Sequence, residues 1–174
     1  ALFMHTYQSW LWNEVVCKYL KATLPSDLLM PARYLGGRLL FHRFVPADLI
    51  GRWRKFEVPL MAYRTKFRDG QVEKAYLEVL RSEKQTQLQF KPPGHNVPYM
   101  KEEERRLLLF PEKMMAEAPV DDELFPGKKK ATTSFELARG GYATLVVKKL
   151  RLLISGEEGE DVPQGGEEEE GAGS

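Results

Sequence analysis

Carboxylates and histidines carry much of the acid–base and metal chemistry of proteins. In this sequence the carboxylate clusters have the surroundings of a solvated surface, and the histidines lack metal-ligand spacing. Acidic residues cluster at 102–104 and at 121–123, and both clusters lie in polar stretches beside proline or lysine. His5, His42 and His95 have no cysteine or carboxylate at metal-ligand spacing. The sequence therefore predicts neither a metal site nor a pair of catalytic carboxylates.

Two glycine pairs are the next candidates, because glycine-rich turns hold phosphates or expose nucleophiles. The sequence has no Gly-x-Ser-x-Gly elbow and no P-loop, and both Gly36-Gly37 and Gly140-Gly141 are too short to be nucleotide-binding fingerprints. Gly141 precedes a predicted helix, whose free N–H groups are able to hold a phosphate. The alternative interpretation is a tight turn between a strand and a helix.

Residues 33–68 combine positive charge with aromatic rings. This stretch holds nine Lys or Arg residues against Asp48 and Glu57, with seven interleaved rings. Arginine binds phosphates bidentately, and exposed rings stack on unpaired bases. The stretch therefore indicates contact with RNA or another single strand, with Arg52, Arg54 and Lys55 as predicted contacts. In the alternative interpretation the rings belong to the core and the arginines line an ordinary surface.

The net charge of +1 conceals two regions of opposite charge. Residues 155–174 hold eight acidic and no basic residues, so the other 154 residues carry 26 basic and 17 acidic groups, hence +9. The tail is too polar to offset its ordering entropy and is predicted to be disordered. It either screens the basic body, which favours polyanions, or serves only solubility.

The remaining composition restricts the compartment. Cys17 is the single cysteine, which rules out an internal disulfide and fits a reducing, intracellular environment. Its apolar neighbours on a probable helix predict a buried and inert thiol. No apolar run approaches the roughly 20 residues of a membrane span, so no membrane partner is predicted.

Hydrophobic periodicity predicts an α/β chain of the mixed α+β type. Residues 2–21 form a helix with an apolar stripe every four residues, and residues 71–83 form a second one. The other predicted elements are a hairpin around Gly36-Gly37, a short helix at 46–54, an extended segment at 56–61, a loop at 90–99, a helix at 101–110, a polar loop at 119–130, a strand at 132–138 and a last helix at 142–154.

The first helix contains an unusual polar trio. In "FMHTYQSWLWN" (residues 3–13) Gln8, Ser9 and Asn13 lie among Tyr7, Trp10 and Trp12, where a purely structural helix would more readily use Lys or Glu. Side chains that bind fixed partners cannot be exchanged so freely. The trio is predicted either to anchor the helix to neighbouring backbone or to contact RNA.

Four segments together resemble the TruD-type pseudouridine synthases. "FMHTYQSWLWN" resembles that family's Ala-x-Gln-Ser-x-(Leu/Phe)-(Trp/Phe)-Asn helix, and "FELARGGYATLVVKKL" resembles its C-terminal Phe-x-Leu-x-x-Gly-Ser-(Tyr/Phe)-Ala-Thr signature. Between them, "FEVPL" and "ERRLLLFPEKM" are similar to two further elements in the family's order. The resemblance covers residues 1–152.

The resemblance implies a fold, a reaction and a division of the chain. Residues 1–110 would be part of the TruD-like insertion domain, and residues 111–154 would return to the catalytic core with its last strand and helix. The family isomerises uridine to pseudouridine in RNA without a cofactor: an aspartate attacks the nucleoside, the glycosidic bond breaks, and uracil rejoins ribose through C5.

Carried over by position, Tyr142 takes the aromatic place that borders the target-base pocket, after a turn at Gly140 and Gly141. Gln8, Ser9 and Asn13 take the family's polar positions. The family's Gly-x-x-Asp segment with the nucleophile is absent from these residues, and Gly141 replaces the usual serine. No catalytic residue is therefore predicted in this chain.

Three interpretations remain open at this point. The chain is the C-terminal part of a pseudouridine synthase, a non-catalytic RNA-binding scaffold such as a ribosome-associated or ribosome assembly factor, or an unrelated α/β protein. The predicted partners are RNA (tRNA, rRNA or mRNA) and either the missing N-terminal catalytic part or a ribonucleoprotein. The sequence does not distinguish nucleus, cytoplasm and mitochondrion.

Overall fold

The computed structural model of the protein describes residues 2–92, 94, 100 and 102–156. His95, most of the predicted loop at 90–99 and the acidic tail from residue 157 lie outside the described residues. The α-helices are α1 (Leu2–Thr23), α2 (Ala47–Trp53), α3 (Gly70–Ser82) and α4 (Ala143–Ser155). The strands are β1 (Leu29–Tyr34), β2 (Gly37–His42), β3 (Glu57–Pro59), β4 (Glu104–Arg106), β5 (Glu112–Ala116), β6 (Val120–Asp121), β7 (Lys129–Lys130) and β8 (Thr133–Glu136).

The strands of the described residues form four two-stranded antiparallel sheets, which pair β1 with β2, β3 with β4, β5 with β8 and β6 with β7. Together with the helices they make a mixed α+β fold, as predicted. No helix in the described ranges is long and apolar enough to cross a membrane.

The main core lies between α1 and α3. The predicted four-residue stripe of α1 places Leu11, Val15 and Tyr19 inside, and α3 buries Val72 and Tyr76 against them. Each such side chain contributes about 1.5–3 kcal/mol by leaving water. The apolar periodicity of both helices is thus explained by their packing against each other, and both predictions are confirmed.

A capping interaction fixes the start of α3. The Asp69 carboxylate accepts hydrogen bonds from the backbone N–H groups of Gln71 and Val72 at 2.9 and 3.0 Å. These donors have no partner within the helix, so the cap stabilises the helix by about 1 kcal/mol. Asp69 also lines a cleft at the start of α3, so the cap holds the Asp69 carboxylate in place there.

The predicted hairpin around Gly36-Gly37 is confirmed, with Tyr34 paired to Gly37 across the turn. Gly37 has φ +138°, a conformation that favours glycine. Helix α4 contacts β1 of this hairpin, and Leu152 of α4 packs with Met30 and Ala32 of β1. The last helix of the chain is therefore attached to the first hairpin.

The helix predicted at 101–110 is wrong: the described part of this segment contains β4, paired with β3 in the register Glu57 to Arg106. Flanking hydrogen bonds join Leu60 N to Glu103 O (2.7 Å) and Leu107 N to Phe56 O (2.9 Å). Pairing with β3 satisfies backbone groups of both segments. This tertiary contact overrides the local helix preference of the glutamates and leucines.

Residues 112–136 contain four short strands that are mostly exposed. The strand predicted at 132–138 is confirmed as β8, with Phe135 half-buried between exposed neighbours. The polar loop predicted at 119–130 instead contains the β6–β7 hairpin, supported by an ion pair of 2.6 Å between Asp121 and Lys129. All five residues of β5 are exposed.

Candidate nucleic-acid interface

A cleft of about 270 Å³ opens beside the end of α2, and β3 and the start of α3 form its other walls. Phe56, Pro59 and Val72 give it an apolar lining. The charged side chains around it are Arg52, Lys55, Lys66 and Arg68 on the positive side and Glu57, Asp69 and Glu104 on the negative side. Four cations against three anions give a formal net charge of +1.

Arg52 is held in place by three contacts. Its Nη2 donates a hydrogen bond of 2.7 Å to the Tyr19 hydroxyl, and its guanidinium lies 5.6 Å from the centre of the Phe56 ring. A long ion pair of 3.9 Å reaches Asp69. The cation is thus oriented by the core residue Tyr19 and by a ring, and it keeps further N–H groups for a ligand.

The other cations of the cleft are less constrained. Arg68, with a side chain that is 88% exposed, reaches Glu104 at 4.0 Å, and an exposed pair of this length is worth about 0–1 kcal/mol. Lys55 and Lys66 form no ion pair with any described residue. Both ammonium groups are therefore available to an anion.

The structure separates the three predicted cationic contacts. Arg52 and Lys55 line the cleft, whereas the Arg54 guanidinium lies 5.6 Å from the centre of the Phe110 ring and is not part of the lining. Residues three apart at a helix end share a face and residues two apart do not. The cleft also includes three side chains that the sequence did not predict as contacts: Lys66, Arg68 and Glu104. Glu104 lies in the lining because β4 pairs with β3.

Most rings of the 33–68 stretch are structural. Trp53 is fully buried and five others are half-buried, while Phe44 is exposed. Tyr19 stacks on Phe56 at a centroid distance of 5.5 Å, which ties one wall of the cleft to the core. The core interpretation therefore holds for most of these rings.

The polar trio of α1 has partners within the protein. Gln8, 2% exposed, donates to the Met61 carbonyl at 2.9 Å, and Trp12 Nε1 donates to the Val58 carbonyl at 3.0 Å. Residues 8 and 12 lie one turn apart on the same helix face, so they bind the β3 segment as a pair. These two contacts anchor β3, and with it one wall of the cleft, to α1.

The other two members of the trio bind side chains. Ser9 Oγ accepts a hydrogen bond of 3.2 Å from Arg105 Nη1 on β4, and Asn13 Nδ2 lies 3.4 Å from the Tyr34 hydroxyl. The predicted anchor to neighbouring backbone therefore describes Gln8, whereas Ser9 and Asn13 bind side chains of β4 and β1. Direct contact of Gln8, Ser9 and Asn13 with RNA stays a prediction.

The glycine pair before α4 forms a tight turn with an exposed ring beyond it. Gly140 has φ +87°, and the Gly141 N–H donates to the Ala138 carbonyl at 2.9 Å. A Cβ at Gly141 would lie 3.0 Å from Leu109 Cδ1 and 3.1 Å from the Ala138 oxygen, so a side chain there requires these neighbours to move by a few tenths of an ångström. Tyr142 follows, 60% exposed and outside the lining of the cleft.

Burial shifts the pKa values of His42 and Cys17. Burial and the neighbouring Lys149 ammonium, 3.3 Å away, lower the pKa of His42 to about 4. Cys17 is half-buried rather than buried, and desolvation raises the pKa of its thiol to about 11. In the described part of the chain no group of three or more His, Cys, Asp or Glu side chains could hold a metal ion.

Fold and cleft together define a mixed α+β unit with a cleft lined by four cations and three anions. Comparison with known proteins makes this class specific. The family model described as tRNA pseudouridine synthase D (TruD) matches residues 1–150. The chain therefore belongs to the TruD family.

Individual relatives agree with the family match. The "Probable tRNA pseudouridine synthase D 2" of Methanocaldococcus jannaschii is 28% identical over 153 residues, which are 88% of this chain and 36% of the relative. The "Probable tRNA pseudouridine synthase D 1" of Methanococcus maripaludis is 26% identical over 88% of this chain and 39% of its own length.

A solved structure shows the same fold. The crystal structure described as tRNA pseudouridine synthase D (TruD) from Methanosarcina mazei superimposes with a TM-score of 0.59 at 27% identity, covering 84% of this chain and 37% of that one. The chain thus spans less than two fifths of the length of each of these three proteins. All three are described as tRNA pseudouridine synthases, so they give no support to the alternative of a ribosome-associated scaffold.

Proposed function

We propose that this chain is the C-terminal part of an RNA pseudouridine synthase that isomerises uridine in tRNA or another RNA, and that it contributes RNA binding and part of the base pocket. The observation that carries the proposal is the family match over residues 1–150. The four sequence motifs lie within the matched residues and occur in the family's order.

The chemistry is divided between this chain and residues outside it. In the family an aspartate attacks the target nucleoside, and the segment that holds this aspartate has no counterpart here. The nucleophile comes from the remainder of the enzyme. This chain supplies groups that hold the RNA while the uridine leaves its stack, a step that costs a few kcal/mol.

Tyr142 is the base-contacting residue of this chain. Its ring is 60% exposed at the start of α4, and its side chain makes no cap hydrogen bond to the helix. An exposed ring of this kind is accessible to an unpaired base, and such a stacking contact is worth about 1–3 kcal/mol. The tight turn at Gly140 and Gly141 fixes where the ring starts.

Residues 111–154 belong to the catalytic core, whose other elements lie outside this chain. Most of the large apolar side chains here are exposed, among them Met115 (67%), Leu124 (75%) and Ile154 (85%). A region that exposes most of its apolar side chains is a candidate contact surface. The occupant that we propose is the part of a TruD-length polypeptide that corresponds to the uncovered three fifths of the relatives.

The test is pseudouridine formation in tRNA transcripts by the full-length gene product that contains this chain, measured by nucleoside mass spectrometry after derivatisation. We expect Tyr142→Ala to lower kcat/KM by about 10- to 100-fold, the equivalent of the stacking energy, and Tyr142→Phe to retain most of it. A wild-type rate for Tyr142→Ala would remove Tyr142 from the base pocket. Absence of pseudouridine with the wild-type protein across tRNA, rRNA and mRNA would overturn the proposed function.

A further inference from the structure

We propose that the cleft between α2, β3 and α3 binds one phosphodiester of the bound RNA. The ammonium groups of Lys55 and Lys66 contact this phosphate. The inference rests on the proposed function, because it assigns the RNA backbone as the ligand. It goes further in naming the chemical group, the number of phosphates and the residues that hold it.

The arrangement of the cations supports an anion as the ligand. Arg52 is oriented by Tyr19 and Phe56, whereas Lys55 and Lys66 are exposed and form no ion pair with a described residue. The guanidinium of Arg52 is held in one orientation. The ammonium groups of Lys55 and Lys66 lie on flexible side chains that can adjust to a phosphate. Charge-assisted hydrogen bonds of this kind are the strong ones in phosphate recognition.

The carboxylates limit the charge that the cleft accepts. Asp69 and Glu104 are paired with Arg52 and Arg68, and Glu57 adds a further negative charge to the lining. The formal net charge of +1 matches a phosphodiester, which carries one negative charge. A triphosphate or a terminal phosphate dianion would leave the occupied cleft with a net negative charge.

The apolar part of the lining favours a phosphate that is attached to a sugar. Phe56, Pro59 and Val72 form a surface next to the cations, and this surface offers no hydrogen-bond donor from their side chains to a free inorganic anion. A ribose would pack there while its phosphate reaches Lys55 and Lys66. Contacts of this type position the strand and carry no base specificity.

The experiment measures RNA binding by the full-length gene product as a function of salt, with single-stranded RNA as the probe. We expect Lys55→Ala combined with Lys66→Ala to weaken binding by about tenfold or more at low salt, and to reduce the slope of log K against log salt by about 0.7, the value for one phosphate of a single strand. The matched control is Lys21→Ala combined with Lys74→Ala, two exposed lysines outside the cleft, which should change neither quantity by as much.

A second probe is RNA in which single phosphates are replaced by uncharged methylphosphonates. One position should weaken wild-type binding, and the same position should have no effect on the Lys55/Lys66 double variant. An unchanged salt slope in the double variant, or a methylphosphonate effect that is equal in the wild-type protein and the double variant, would overturn the site. A confirmed site in a protein that forms no pseudouridine would instead refute the proposed function alone.

Discussion

Residues 2–108 and residues 111–155 use their apolar side chains in opposite ways. In the first region Leu11, Val15 and Trp53 are completely buried. In the second, Leu124 and Ile154 are mostly exposed, and β5 has no buried residue. The first region thus has a core of its own within this chain, whereas the second presents a surface of the kind that is covered by a partner.

The contact between the two regions is small and partly polar. Leu152 packs on Met30 and Ala32, Lys148 Nζ donates to the Arg33 carbonyl at 2.7 Å, and Lys149 lies beside His42. This contact holds α4 against the β1–β2 hairpin and leaves its other face exposed. The comparison therefore separates a part with a buried core from a part that leaves most of its apolar side chains exposed, as the proposed return into a catalytic core requires.

The largest expected effect contrasts a leucine from each region. Leu11→Ala removes a fully buried side chain and should lower the free energy of unfolding by about 2–5 kcal/mol through lost burial and a cavity. Leu124→Ala makes the same chemical change at a 75% exposed position and should change it by less than about 0.5 kcal/mol. Urea unfolding of this chain measures both. Equal losses would contradict the proposed difference between the regions.

A smaller effect tests the anchor between α1 and β3. Gln8→Met keeps the shape of the side chain but leaves the Met61 carbonyl without its donor, which should lower the free energy of unfolding by about 1–3 kcal/mol. Gln71→Met, at an exposed position of α3, is the control and should be nearly neutral. If thermal and urea unfolding show Gln8→Met to be as stable as the control, Gln8 is not a structural anchor.

The smallest effect concerns the contact between the regions. The pKa of His42 is lowered to about 4 in the folded protein, first by burial and second by Lys149, whereas an unfolded histidine titrates near 6.5. Between about pH 6.5 and pH 4 the unfolded chain binds a proton that the folded chain does not, so stability falls as the pH falls through this window.

His42→Gln removes this contribution. We expect the difference in unfolding free energy between the wild-type protein and His42→Gln to be constant above about pH 7 and to shift in favour of the variant toward pH 4. Urea titrations at pH 7.5, 6.0 and 5.0 measure the difference. Parallel curves over the whole range would mean that the pKa of His42 is the same in the folded and the unfolded chain.

The sequence predicted elements whose causes are local. The stripes on α1 and α3, the hairpin at Gly36-Gly37 and the last helix follow from spacing and turn residues alone. The helix prediction at 101–110 was wrong because the structure of this segment depends on β3, which lies more than forty residues earlier. Strand β3 pairs with residues 104–106. Helix-favouring glutamates carry no information about that distant partner.

The residues of the candidate site could be predicted from the sequence only where local composition determines them. Composition pointed to Arg52 and Lys55, and the structure places both in the cleft. Arg54 could be separated from them by helix geometry, since it lies two residues from Arg52. The ion pair between Arg68 and Glu104 was inaccessible, because it requires the pairing of β4 with β3.

The measurement that tests the central claim most directly is amide hydrogen exchange of residues 111–155, compared between the isolated 174-residue chain and the full-length gene product. If these residues complete a catalytic core outside this chain, β5, β8 and the exposed face of α4 should exchange at least tenfold more slowly in the full-length protein, while α1 and α3 should change little. Equal exchange of residues 111–155 in both proteins would contradict the claim.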